Sequence, residues 1–138
     1  MLVLAIPARS FGAAPPAMGP ADAADKPVSY WKQVRPVFQA HCQGCHQPAK
    51  AKGGYVMTDF VRLLKGGEDS AKDGAAIVPG KPAESEMLLR IASKESDEVM
   101  PPPETHKAMD ARERAILERW VAQGAGYQRH WAYEPPVK

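Results

Sequence analysis

The residues best suited to chemistry form one short cluster, in which two cysteines are followed directly by a histidine: Cys42-Gln43-Gly44-Cys45-His46. The C-x-x-C-H spacing is typical of covalent haem attachment. At the start of a helical turn, both sulfurs lie on one side, where they can add to the two vinyl groups of a haem. The next residue then lies under the iron, and its neutral imidazole supplies the proximal ligand. The sequence therefore predicts one haem c, bound covalently through Cys42 and Cys45 and ligated by His46.

Other chemistry remains open for the same two cysteines. They could form a single disulfide, or a dithiol redox site of the thioredoxin type. That redox site normally lies at a strand-to-helix junction, and this sequence shows no alternation of strand and helix. A zinc site would need two histidines as well. Of the four histidines, two crowd the cysteines and two lack ligand spacing; they are His41, His46, His106 and His130.

An electron-carrying haem usually has a second axial ligand, and Met100 is the best candidate in this sequence. It directly precedes Pro101-Pro102-Pro103, and a residue before proline is driven toward an extended backbone. We expect a stiff loop that holds the thioether over the iron at low entropic cost. Among the competing residues, Met87 lies in an apolar helical stripe, which favours core packing. Met57 and Met109 lack a rigid flank, and His106 lies in a polar loop.

The elements that must position these residues are predicted to be helices. Ser29 is suited to cap a helix that ends just before Cys42. Pro36 lies inside its pattern, so either the helix kinks there or its regular part begins near Val34 with Pro36 in the first turn. The apolar face of this helix, at helical spacing, consists of Tyr30, Val34, Val37 and Phe38.

A loop and a short helix are predicted after the motif. Residues 47–57 form the loop, in which Gly53-Gly54 permits positive φ angles. Thr58 is expected to cap the short helix, and Gly66-Gly67 to end it.

Two more helices follow. Pro82 is placed as a first-turn proline, and the buried face of its helix is expected to contain Met87, Leu88 and Ile91. Pro101–Pro103 is expected to form a stiff polyproline segment. Asp110 and Glu113 form a variant capping box that opens the last helix, which Gly124 or Gly126 ends. The apolar side of that helix contains Ile116, Leu117, Trp120 and Val121. The prediction is an all-α fold of about four helices joined by long loops.

Composition narrows the function classes. The formal net charge is only +2 and the basic residues are scattered, which argues against a nucleic-acid binder. Residues 1–27 are predicted to be a signal-like leader and linker, residues 28–127 the domain, and residues 128–138 a tail or linker to a following domain. The apolar run at the N-terminus is too short to span a membrane. We therefore expect a periplasmic or otherwise exported protein without stable membrane insertion.

The succession of motifs resembles the planctomycete-type cytochrome c domain over about residues 29–127. The segments that carry the resemblance are Val34–Phe38, Cys42–His46, Lys52–Gly54, Leu63–Gly67, Ile77–Pro82, Val99–Pro102 and Glu118–Val121. The resemblance implies a class I-like cytochrome c fold around one covalently bound haem. It also implies His46 as the proximal iron ligand and Met100 as the distal one.

In that family the domain usually lies at the N-terminus of large secreted proteins, and His130–Tyr133 resembles the start of the next region. The resemblance implies an electron-transfer protein or domain, not an enzyme in itself, that cycles between Fe(II) and Fe(III). Its partner is expected to be an attached or docked oxidoreductase. The alternatives are a dithiol or metal-binding module that uses Cys42 and Cys45, and a haem enzyme with an open iron.

Overall fold

The computed structural model describes residues 26–127, which form five α-helices, a π-helical turn and several 3₁₀ turns. The helices are α1 Arg35–His41, α2 Phe60–Lys65, α3 Ser70–Asp73, α4 Glu86–Ala92 and α5 Ala111–Ala122. No strand occurs within residues 26–127. The predicted all-α class is therefore confirmed; α3, a single short turn, is the helix that the sequence does not predict.

The first helical segment follows the second of the two arrangements expected around Pro36. The Ser29 hydroxyl caps the segment by accepting a hydrogen bond from the Lys32 N–H at 3.4 Å. A π-helical turn over Tyr30–Val34 precedes the regular helix α1, which has Pro36 in its first turn. Proline is tolerated there because its missing N–H has no partner within the helix. The predicted apolar face, Tyr30, Val34, Val37 and Phe38, is buried.

Helix α2 is capped by Asp59, so the predicted cap at Thr58 is wrong. An Asp59 carboxylate oxygen accepts from the Arg62 N–H at 2.8 Å. Asp at this position satisfies a free N–H of the first turn and also places a negative charge at the positive end of the helix dipole. The helix ends at Gly66, whose φ is 98°, as the sequence predicts.

The helix predicted to start at Pro82 is divided in two. Pro82–Glu84 forms a separate 3₁₀ turn, and α4 begins only after Ser85. Ser85 is fully buried. Its hydroxyl donates to the Lys81 carbonyl at 2.9 Å and accepts from the Val78 N–H at 2.9 Å. These bonds hold the serine in an extended conformation that interrupts the helix. Of the predicted buried face, Met87 and Ile91 are buried and Leu88 is partly buried.

The proline run is polyproline-like only in part. Pro102 has φ −59° and ψ 141°, but Pro103 begins a 3₁₀ turn over Pro103–Thr105. The prediction that Pro101–Pro103 is wholly extended is therefore wrong. Pro103 can begin the turn because proline at the first position of a turn loses no hydrogen bond.

The last helix, α5, is capped as predicted. The Glu113 N–H donates to Asp110 Oδ1 at 2.7 Å, and the Asp110 N–H donates to Glu113 Oε2 at 3.0 Å. The chain turns after the helix at Gly124, which has φ 97°. The Trp120 ring packs edge-on against Phe38 of α1, with centroids 6.0 Å apart, so α1 and α5 share the centre of the apolar core.

The two ends of the described chain lie together. The Gln123 side chain accepts from the Val28 N–H at 2.7 Å and donates to the Lys26 carbonyl at 3.4 Å. Tyr127, about half exposed, packs on Phe60 with ring centroids 4.5 Å apart.

Residues 1–25 of the predicted leader and residues 128–138 of the predicted tail lie outside the described residues. None of the helices within residues 26–127 is long and apolar enough to cross a membrane.

The loops that contain Gly53-Gly54 and Gly66-Gly67 are in backbone-to-backbone contact. The Glu68 N–H donates to the Gly53 carbonyl at 2.8 Å. A Cβ atom added to Gly67 would lie 2.1 Å from that same carbonyl oxygen, so a side chain at this position does not fit. Gly53 and Gly54 have φ angles of 60° and 65°, as the sequence predicts.

Gly67→Ala is expected to lower the free energy of unfolding by about 1–3 kcal/mol, because the new methyl group must push the Gly53 backbone away. Gly126→Ala is the matched control, since a Cβ there meets nothing within 4 Å. Denaturant unfolding of the purified proteins measures both effects. Equal unfolding midpoints for the two variants would contradict the close contact.

Candidate haem site

The C-x-x-C-H segment continues directly from α1 as a tight turn. The N–H groups of Cys42 and Gln43 both donate to the Phe38 carbonyl, at 2.9 and 2.8 Å. The N–H groups of Cys45 and His46 both donate to the Cys42 carbonyl, at 3.1 and 3.0 Å. The predicted helical turn is therefore present, and it is built on the end of a buried helix. No disulfide joins Cys42 and Cys45.

His46 is held in the orientation that a metal ligand requires. Its Nδ1 lies 3.1 Å from the Lys52 carbonyl oxygen, which can only accept, so Nδ1 carries the proton and the Nε2 lone pair is left free. Burial lowers the pKa of His46 and the Lys52 charge adds to this effect, while hydrogen bonds to the Lys52 and Tyr55 backbone act in the opposite direction. Burial thus favours the neutral imidazole, the form that binds a metal.

The loop after His46 is fastened to the motif on both sides. The Lys52 N–H donates to the Cys45 carbonyl at 3.1 Å, and the Met57 N–H donates to the His46 carbonyl at 2.9 Å. The Tyr55 ring lies beside the imidazole with centroids 5.3 Å apart. Its hydroxyl donates to the Leu63 carbonyl at 2.8 Å, which ties this loop to α2.

A cavity of about 440 Å³ opens beside the motif. All four residues that the sequence predicts as haem-binding line it: Cys42, Cys45, His46 and Met100. The lining also includes Gly53, Gly66, Gly67 and Gly74. Sequence reasoning treats these glycines only as turn signals, although the pairing of two double-glycine segments is the one feature that could have indicated a wall of bare backbone.

Four methionines line this cavity, and their surroundings divide them. Met57, Met87 and Met109 belong to the buried core, with 2, 8 and 8% of their surface exposed. Met100 is only partly buried and lies outside that core cluster. Core packing therefore accounts for the other three thioethers but not for Met100. His106 is exposed and does not line the cavity.

The loop that carries Met100 has a defined backbone. The Met100 N–H donates to the Arg90 carbonyl at 3.1 Å, and the peptide bond from Met100 to Pro101 is cis. Pro101 and Pro102 line the cavity with Met100. The proline-flanked loop expected from the sequence therefore lies at the cavity.

The surroundings of Cys42 do not suit a dithiol oxidoreductase. Burial raises the pKa of the Cys42 thiol to about 12, the neighbouring Cys45 adds to this effect, and Lys107 partly opposes it. A redox-active dithiol needs a thiolate near neutral pH, which requires a lowered thiol pKa.

Within residues 26–127, no group of three or more His, Cys, Asp or Glu side chains is placed to bind a metal ion. His130, one of the histidines considered for a zinc site, lies outside the described residues.

These residues fit a haem c. Two thiols in a C-x-x-C turn and a free imidazole nitrogen supply the donor set for two thioether links and one iron ligand. The cavity they share is within the size range of small-molecule and cofactor sites, and glycine backbone and methionine side chains form much of its wall.

Comparison with known proteins agrees with this donor set. The family model described as Planctomycete cytochrome C matches residues 42–104, a stretch that begins at Cys42 and contains His46 and Met100. No curated protein and no solved structure matches the chain. The family implies covalently bound haem c, a cytochrome c-like fold and electron transfer rather than catalysis. Residues 42–104 of this chain, with the C-x-x-C-H motif at their start, are therefore similar to the planctomycete cytochrome c family.

Proposed function

We propose that this protein is a single-haem electron carrier in which His46 and Met100 are the two axial iron ligands. The observation that carries the proposal is that Cys42, Cys45, His46 and Met100 line one cavity, although Met100 is far from the others in the sequence. A haem bound there supplies one-electron exchange between Fe(II) and Fe(III).

The chain contributes attachment, orientation and exclusion of other ligands. Cys42 and Cys45 would form the two thioether links, which prevent loss of the group. The Lys52 carbonyl orients His46 through Nδ1, so that Nε2 is presented as the proximal ligand. Met100 would occupy the remaining axial position, and a thioether there raises the reduction potential relative to a second histidine.

An open-iron enzyme is less well supported. Such an enzyme needs a vacant axial position and a distal residue that is free to transfer protons. His41 is the other histidine that lines the cavity, but both of its ring nitrogens are engaged, one with the Lys107 carbonyl and one with Glu113. The cavity therefore favours electron transfer over chemistry at the iron.

The partner and location belong to the same proposal. An exported protein, periplasmic in a diderm cell, agrees with the apolar start of the chain and the small residues that follow it. The electron donor is an oxidoreductase that is either attached after the domain or docked to it. Two aromatic residues near the C-terminus, Trp131 and Tyr133, support a contact there, because aromatic side chains are common anchors at interfaces.

Covalent attachment is tested by replacing both cysteines. In protein from a host with cytochrome c maturation, haem should remain on the wild-type polypeptide after denaturation and acidified-solvent extraction. The Cys42→Ala/Cys45→Ala variant should lose essentially all of it. Gln43→Ala is the control inside the motif, since it leaves both thiols in place. Extraction of haem from the wild-type chain would overturn the assignment.

The distal ligand is tested with leucine substitutions, which conserve volume in a packed cavity. Met100→Leu should abolish the sulfur-to-iron absorption feature and lower the reduction potential. It should also strengthen imidazole binding by about tenfold or more, because the internal thioether no longer competes for the iron.

Met57→Leu and Met109→Leu are the matched controls and should change none of these properties. Alanine would be a poor choice at these positions, because truncating a buried methionine costs about 2–5 kcal/mol of stability. If Met100→Leu keeps the wild-type spectrum, Met100 is not the ligand.

A further inference from the structure

The loop between Met100 and Met109 must keep its shape if Met100 is to reach the iron. Its first residue is anchored through the Met100 N–H to the Arg90 carbonyl. Its centre is closed internally, with the Thr105 hydroxyl donating to the Pro102 carbonyl at 2.7 Å. A position near its end, Lys107, needs a separate anchor.

His41 provides that anchor. Its Nδ1 lies 2.7 Å from the Lys107 carbonyl oxygen, and its Nε2 lies 3.0 Å from Glu113 Oε1. Both partners are acceptors, so the two contacts are satisfied together when both ring nitrogens carry a proton. The His41 side chain is only 13% exposed, which shields these bonds from water.

Glu113 connects this contact to the start of α5. One of its carboxylate oxygens binds His41, and the other accepts the Asp110 N–H of the capping box. The Glu113 carboxylate at the start of α5 also suits the positive end of that helix dipole. The same carboxylate thus caps one helix and holds the end of another.

Lys107 meets the attachment motif a second time. A Cβ added to Gly44 would lie 3.3 Å from the Lys107 ammonium nitrogen, so this side chain ends close to one of the two residues between the cysteines. The Lys107 backbone is therefore bonded to His41, and its side chain lies close to the attachment motif.

We propose that His41 is a positioning residue for the distal ligand. It fixes the 100–109 loop and the start of α5 to the end of α1, directly before Cys42. In this way it keeps Met100 at the cavity that His46 also lines. This inference rests on the proposed function, because it assumes that Met100 binds the iron. Releasing the anchor increases the fraction of molecules in which the loop has moved away from the iron.

The test compares three variants of the haem-loaded protein. His41→Phe keeps the ring but removes both donors. His41→Asn keeps one donor near the position of Nδ1. His106→Asn is the matched control, an exposed histidine outside the cavity with φ 52°, a conformation that Asn tolerates. For each variant, imidazole affinity of the oxidised protein, the sulfur-to-iron absorption feature and the thermal unfolding midpoint are measured.

His41→Phe should bind imidazole about tenfold more tightly than wild type, since a hydrogen bond to a charged group is lost. His41→Asn should recover a large part of that difference, and His106→Asn should equal wild type. Unchanged imidazole affinity in His41→Phe overturns the inference, even if its unfolding midpoint falls, because that pattern marks a structural role alone.

Two further points keep the test decisive. If His41→Phe does not accumulate as folded protein, Glu113→Gln takes its place. It removes the charge of the partner but retains an acceptor for the cap, and it should shift imidazole affinity in the same direction. A wild-type protein without covalent haem or without the sulfur-to-iron feature overturns the proposed function instead, so the two failures are distinct.

Discussion

The hydrogen bond from His46 Nδ1 to the Lys52 carbonyl is the contact on which the site depends. It selects the tautomer that leaves Nε2 free, and the Lys52 N–H is bonded in turn to the Cys45 carbonyl, which holds Lys52 beside the motif. Lys52 is followed by Gly53, whose carbonyl is held by the Glu68 N–H. The orientation of one imidazole thus depends on two loops whose glycines allow their backbones to touch.

Much of the fold and the site could be predicted from local sequence. The C-x-x-C-H motif and the proline flank of Met100 point to residues that the structure brings to one cavity. The capping box at Asp110 and the helix end at Gly66 also depend on neighbouring residues alone. The wrong cap predicted for α2 also has a local cause. Thr58 and Asp59 are both good caps, and only the folded backbone decides which side chain faces the free N–H groups.

What the sequence could not supply are side-chain contacts that depend on the folded backbone, whether local or between distant residues. Ser85 interrupts a helix because its hydroxyl bonds back to the preceding turn, and helical periodicity contains no such signal. His41 is an extreme case. Its partners lie 66 and 72 positions away, so from sequence it is merely a histidine that crowds the cysteines.

The contact of Gln123 with Val28 and Lys26 has a consequence for how the domain can be combined with other sequences. One amide side chain joins positions 95 and 97 residues apart, so the polypeptide enters and leaves the domain at the same place. Chain ends that lie close together are typical of domains that tolerate insertion into a longer polypeptide, because insertion then leaves the internal packing in place.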